Sequence, residues 1–281
     1  MKPDIVSIFH LKAIKQRPLL FIVLFAFFLF LLCLHEKYSK EKIDKLFEPI
    51  TSKYGIKVVY EVENDFLSNL VNPVIPAGPA HDSKVKPIKH RVLARYPYIL
   101  QKAFEKYPVN VIKKYLKGVY LAGDINQHGF KCGGSYDPFR RIVFLVNDGW
   151  KTEDEAIGTF HHEFSSLLLS SHTFLLNPWE NINPKGFKYL YESTEDKLRT
   201  YNNTSSIGTE ADYKKGFMDS YGQTDFENDF NEYSAMIFTY PEKFKQIMNR
   251  YPRVRGKFKV WLDFYQKIDP VFTEAYLLGD K

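Results

Sequence analysis

The longest unbroken apolar stretch in the chain is Leu19 to Leu34, LLFIVLFAFFLFLLCL, in which Cys33 is the sole side chain able to hydrogen-bond. As a helix, Pro18–Leu34 spans roughly 25 Å, and apolarity on every side predicts a transmembrane segment. No small-x-small cleavage site follows it, which predicts a retained signal-anchor; Leu32 ahead of Cys33 argues against lipid attachment. Past the anchor the pattern becomes mixed. Ile43, Leu46, Phe47 and Ile50 recur at helical spacing within Glu36–Ser52, a stalk or first helix. IKVVYEV at Ile56–Val62 reads as a strand, and Asn72–Lys89, with four prolines, as a loop. Helical periodicity covers Val92 to Phe104 and Val109 to Leu116. GVYLAGDI and RRIVFLVN then read as strands separated by the turn-rich NQHGFKCGGSYDPF.

The clearest element follows. Thr152 and Glu155 form a capping-box pattern, and Ala156, Ile157, Phe160, Phe164, Leu167 and Leu168 repeat at helical spacing, so a helix with one buried face is predicted over Thr152–Ser171. Asn177–Gly216 is polar and poorly periodic, a long excursion expected to hold one helix. Phe226, Phe230, Tyr233 and Ile237 predict a helix over Thr224–Phe238, and Lys243–Tyr251 and Lys257–Lys267 are two more with basic faces.

Charge and cysteine content sharpen this outline. The formal net charge is +6 over 281 residues, but residues 1–35 hold four Lys+Arg against one Asp+Glu, leaving the remainder nearly neutral. Basic and acidic residues are interleaved along it, which excludes a nucleic-acid footprint. Lysines and arginines flank the apolar run almost equally. A short basic N-terminus ahead of the first apolar segment stays inside, so residues 1–17 are expected in the cytoplasm and the bulk of the chain beyond the membrane, at the periplasmic or cell surface. Cys132 is alone in the soluble part, so no intrachain disulfide is available there.

Chemistry concentrates on GTFHHEFSSLLL, in the middle of the Thr152 helix. A metal hydrolase built on one helix uses His at i and i+4 with Glu at i+1, the Glu taking a proton from metal-bound water. His162 and Glu163 supply the first two, whereas position 166 is Ser, a poor zinc ligand. The alternative is that His161 and His162 are buried residues satisfied by backbone or nearby acids. Ser165 and Ser166 lie mid-helix, where backbone N–H groups are already used, so a serine nucleophile is disfavoured. Cys132 lacks the context of a catalytic thiol.

The order of strand, GGSY turn, edge strand, FHHEFSSLLL helix and the later GFMDSYGQTDFENDFNEYSAMI resembles the gluzincin-type zinc metallopeptidases. It is similar to both the lethal-factor type of catalytic domain and the bacterial zinc-binding metallopeptidase lipoproteins, over roughly Tyr54–Phe238. The resemblance implies an α+β zincin-like domain over residues 53–281, with a small mixed sheet, an active-site helix and a helical C-terminal lobe. It makes His162 the first zinc ligand, Glu163 the general base and Tyr221 the oxyanion-stabilising tyrosine. The second ligand position falls on Ser166 and the third on Asn228. Replacement ligands on hand are His161 and the carboxylates of Glu227, Asp229 and Glu232, one of which a one-residue shift of register would place at the site. Two outcomes follow: a membrane-anchored zinc metallopeptidase acting on peptide bonds, or an inactive pseudopeptidase that keeps the cleft to bind a peptide or protein ligand and has lost its zinc.

Overall fold

The computed structural model describes residues 22–27, 39–61, 84–127, 130–190 and 207–279. Most of the predicted membrane span lies outside them; residues 22–27 are helical and exposed, and among the described residues no helix is long and apolar enough to cross a membrane. The chain divides into two units, 1–46 and 47–281. The segment expected as a stalk or first helix forms helix α1 (Lys40–Tyr54), which buries Ile43, Phe47 and Ile50, while Leu46 is exposed.

A six-stranded mixed sheet follows, made of β1 (Lys57–Val59), β2 (Lys84–Pro87), β3 (Gly118–Gln127), β4 (Phe130–Lys131), β5 (Gly134–Asp137) and β6 (Ile142–Val146). Its order is β1-β3-β6-β5, with β2 and β4 also pairing with β3. β3 runs parallel to β1 and β6, and β5 runs antiparallel to β6. Every residue of β6 is buried, as suits a parallel strand covered on both faces.

Two expectations change here. Lys84–Pro87, read as loop because of its prolines, pairs antiparallel with β3; its proline ends the strand at a shift in register, where the missing N–H is tolerated. RRIVFLVN, expected at the edge, is interior. The edge strand is β5, drawn from the GGSY stretch read as a turn, because Gly134 to Asp137 pair residue for residue with Leu145 to Ile142.

Before the central strands come α2 (His90–Leu93), α3 (Tyr96–Phe104) and α4 (Val109–Tyr115). The predicted single helix from Val92 is broken where Pro97 opens α3. Helix α5 (Glu153–Ser171) carries the predicted capping box: Thr152 Oγ1 accepts from the Glu155 N–H, and the Glu155 carboxylate accepts from the Thr152 N–H at 2.7 Å. Among its described residues the long excursion holds α6 (Leu176–Glu180) and α7 (Glu210–Lys215), where one helix was expected. A single 3-10 turn (Tyr221–Gln223) leads into α8 (Phe226–Thr239), followed by α9 (Pro241–Arg250), α10 (Pro252–Ile268) and the unpredicted α11 (Glu274–Leu278).

α5 lies against β5 and β6 on one side and against α8 on the other. Aromatic rings fill the remaining volume. Phe160 meets Phe104 at 4.9 Å, Tyr107 meets Phe164 at 5.0 Å, and Trp261 stacks on Tyr265 at 3.9 Å between centroids. Replacing the cap by Thr152→Ala is expected to lower stability by about 1 kcal/mol in denaturant titration without altering the far-ultraviolet circular dichroism.

Candidate active site

Consecutive residues on an α-helix point about 100° apart, so HHEFSS distributes its side chains around α5. His162 and Glu163 turn toward β5 and the start of α8, while His161 turns into the core. α8 is started by Asp225, whose carboxylate accepts from the Asn228 N–H at 2.8 Å, and it presents Glu227, Asn231 and Glu232 toward α5.

Three side-chain hydrogen bonds cross from α5 to α8. His162 Nδ1 donates to Glu232 Oε1 at 2.9 Å, Asn231 Nδ2 donates to Ser166 Oγ at 2.7 Å, and the hydroxyls of Ser165 and Ser234 meet at 2.9 Å. Burial opposes the charge on His162. The hydrogen bond to Glu232 and the charges of Glu163, Glu232 and Glu227 outweigh it and raise the imidazole to about 9. Nδ1 is thereby committed to Glu232, and Nε2 has no hydrogen-bond partner among the described residues. Tyr221, from the 3-10 turn, stacks over the imidazole at 5.9 Å and 29°. Behind Glu232 sits Asp219, whose buried carboxyl is pushed well up by desolvation and by the neighbouring Glu232 charge.

Glu163 is 9% exposed, and Gly134 of β5 lies directly against it. A Cβ at position 134 would stand 2.5 Å from Glu163 Oε1 and 2.9 Å from Thr159 Cγ2, so only glycine fits. Burial lifts the Glu163 acid to about 7, with Glu227 and Glu232 pushing the same way and the His162 charge pulling against them. Lys151 reaches in from the residue before the cap and donates to Gly133 O at 2.8 Å and Thr159 Oγ1 at 3.0 Å. Burial lowers its ammonium to about 8, partly offset by Glu163. The Tyr136 hydroxyl, from β5, donates to Glu227.

The structure thus brings together His162, Glu163, Tyr221 and Glu232 of the residues singled out from sequence. It does not bring His161 or Asp229 to them. His161 Nδ1 pairs with the Tyr107 hydroxyl at 2.9 Å, its ring is packed between Phe160 and Phe238, and burial drives its charged form well down. The Asp229 carboxylate is fully buried on the far side of α8, where Oδ2 accepts from Lys257 (2.6 Å), Tyr189 (2.7 Å) and Trp179 (2.8 Å). A metal ligand needs a free lone pair toward the cleft, and neither residue offers one there. Lys151, Tyr136 and Asp219 were missed. Tyr136 could have been found from the strand alternation of GSYD, whereas nothing local marks Lys151 or Asp219.

A family model described as "Putative zinc-binding metallo-peptidase" matches residues 36–273. The chain belongs to this family. Among solved structures it is similar to a putative zinc-binding metallo-peptidase from Bacteroides caccae, with a TM-score of 0.52 and 16% identity, over 87% of this chain and 94% of that one. At that identity the likeness supports the shared fold. No curated protein matches the chain.

The family description includes zinc, and the donor set of this chain does not fit it. Of the three ligand positions implied by the resemblance, His162 alone keeps a metal-binding side chain. Ser166 is 2% exposed and its hydroxyl is occupied by Asn231. The Asn228 amide nitrogen donates to Thr224 and Asp225 and has no lone pair for a metal. Among the described residues no group of three or more His, Cys, Asp or Glu side chains is placed to hold an ion, whereas zinc takes three or four protein ligands.

Two stability measurements follow. Lys257→Ala would strand the Asp229 carboxylate without its cation and is expected to cost about 3–5 kcal/mol, while Lys257→Met combined with Asp229→Asn costs distinctly less. The second concerns pH. His162 is raised from 6.5 to about 9, so its contribution is full below pH 6.5 and lost as pH rises through 9. The unfolding midpoint should therefore fall over that interval, and fall less in Glu232→Gln.

Proposed function

We propose that this chain is a zinc-peptidase fold used as a binding domain, a pseudopeptidase whose cleft holds a peptide or protein ligand without hydrolysing it. The observation that carries this reading is the bond from Asn231 to Ser166. The position implied to hold the second metal-ligating histidine is occupied by a hydroxyl already satisfied across the α5–α8 seam. Around it stand the β5 edge, His162, Glu163, Glu227 and Tyr221.

The apolar run Leu19–Leu34 supports a single-pass anchor, and the basic residues before it support an extracytoplasmic placement of the domain in the cell envelope. Peptide capture at the membrane surface is the role that combines these features.

One observation favours the hydrolase instead. A zinc-ligating histidine commonly donates its other ring N–H to a carboxylate, and His162 does so to Glu232, leaving Nε2 toward the cleft. In that case Glu163 would serve as base and Tyr221 as the oxyanion donor, with Glu227 as a second ligand beside His162.

Elemental analysis of the purified full-length protein separates the two. Far less than one zinc per chain, an unfolding midpoint unmoved by chelator, and unaltered folding in Glu163→Gln are expected. About one tightly held zinc per chain, with a midpoint that drops on chelation, would overturn the binding-domain reading.

A further inference from the structure

The parallel strands β1, β3 and β6 all begin at one end of the sheet, where Lys57, Gly118 and Ile142 stand in register. A row of cationic residues crosses that end. The Lys57 N–H donates to Lys117 O at 3.0 Å, and the Lys117 N–H donates to Arg141 O at 2.8 Å. Neighbouring strands are about 4.8 Å apart, so three basic residues are held side by side. Further bonds widen the row. Arg141 Nη1 donates to Lys114 O at 2.9 Å and Lys117 Nζ donates to Lys113 O at 3.2 Å, which adds the last turn of α4. Arg140 precedes Arg141 in the turn from β5 to β6, and all six side chains are exposed.

Like charges this close repel, and the fold does little to offset them. Asp137 pairs with Arg140 at 2.8 Å, and no ion pair joins the other five to an acid among the described residues. The six come from three stretches far apart in the chain, so no basic run marks them in the sequence. Next to them stands Phe139, at 79% the most exposed large apolar side chain among the described residues and without a ring contact there.

A basic face of one sign bordered by a projecting apolar ring has the chemistry of a surface that meets a membrane. Its cations attract anionic headgroups, and a ring that enters the headgroup boundary is removed from water. Duplex nucleic acid would meet the charges and leave the ring in water. The apolar run Leu19–Leu34 bears on the choice as well. An anchored chain keeps its domain at high effective concentration beside a bilayer, so individually weak charge contacts suffice.

Resting on the anchored reading above, we propose that this end of the sheet docks on an anionic phospholipid surface, with the six cations against the headgroups and Phe139 entering the acyl boundary. β5 would then stand with Asp137 toward the bilayer and Gly134 away from it.

The test uses the full-length protein in vesicles of phosphatidylcholine, alone or with about 30% phosphatidylglycerol, each containing lipid brominated on its acyl chains. Phe139→Trp reports entry of that side chain, its emission taken as the difference from the unsubstituted protein. Quenching is expected to be at least about twofold greater with phosphatidylglycerol at about 0.1 M salt, and to fall to the phosphatidylcholine level at about 0.5 M. Each Lys or Arg at an anionic surface gains about fivefold in partitioning, so Lys57→Gln, Lys114→Gln and Lys117→Gln combined should lose the lipid preference. Should that variant fail to fold, the salt dependence decides alone. Equal quenching in the two vesicles, or a preference that survives high salt or the three substitutions, would overturn the proposal. Capture of a DNA duplex of about 20 base pairs without a lipid preference would assign the face to nucleic acid and overturn it too. Alkaline carbonate extraction of the same vesicles tests the anchor. Release of the protein sinks the anchored reading, whereas retained protein without a lipid preference sinks the docking face alone.

Discussion

Three side-chain hydrogen bonds join α5 to α8 inside a shell of aromatic rings, and the register of those two helices is the constraint on which the cleft depends. Leaving one of these buried hydroxyls, amides or ring nitrogens unpaired would cost roughly 1–3 kcal/mol, so a shifted register would be penalised several times over. The aromatic packing alone is less selective, because rings accept many tilts at similar energy. His162, Ser165 and Ser166 meet Glu232, Ser234 and Asn231, and this match places Glu227 over Glu163 and sets the turn carrying Tyr221 above the imidazole. Polar matching thus fixes the seam between the two helices.

Much of the fold was legible because its signals are local. The Thr152 capping box, the 3.6-residue spacing of Ala156 to Leu168 and the Asp225-led helix are each decided within a few residues. The edge strand was not legible, because GGSY carries turn residues and becomes a strand only by pairing with β6. Site residues divided the same way. His162 and Glu163 stand in a recognisable local pattern. Asp229 and Glu232 are both acids on one helix, and their different fates depend on Lys257 and His162, which lie far away in sequence. No spacing rule separates an acid that meets an imidazole from one that meets a buried lysine.

The Asp229 cluster shows how the C-terminal lobe is fastened. Lys257 is fully buried, ion-paired to Asp229, and lies 3.8 Å from the centre of the Phe217 ring. Trp179 and Tyr189 donate to the same carboxylate oxygen, so four separate segments are tied to one atom. A buried charge pair of this kind adds little net stability over an apolar substitute, but it tolerates few alternative arrangements. α8 is thereby held from both sides, by the hydrogen bonds to α5 and by this ion pair to α10.

The missing side chain of Gly134 has a mechanical consequence. The strand backbone stands so close to Glu163 that a Cβ at position 134 would meet the carboxylate. Any chain that zips onto the open side of β5 would therefore push on the acid through main-chain atoms, whatever its own side chains.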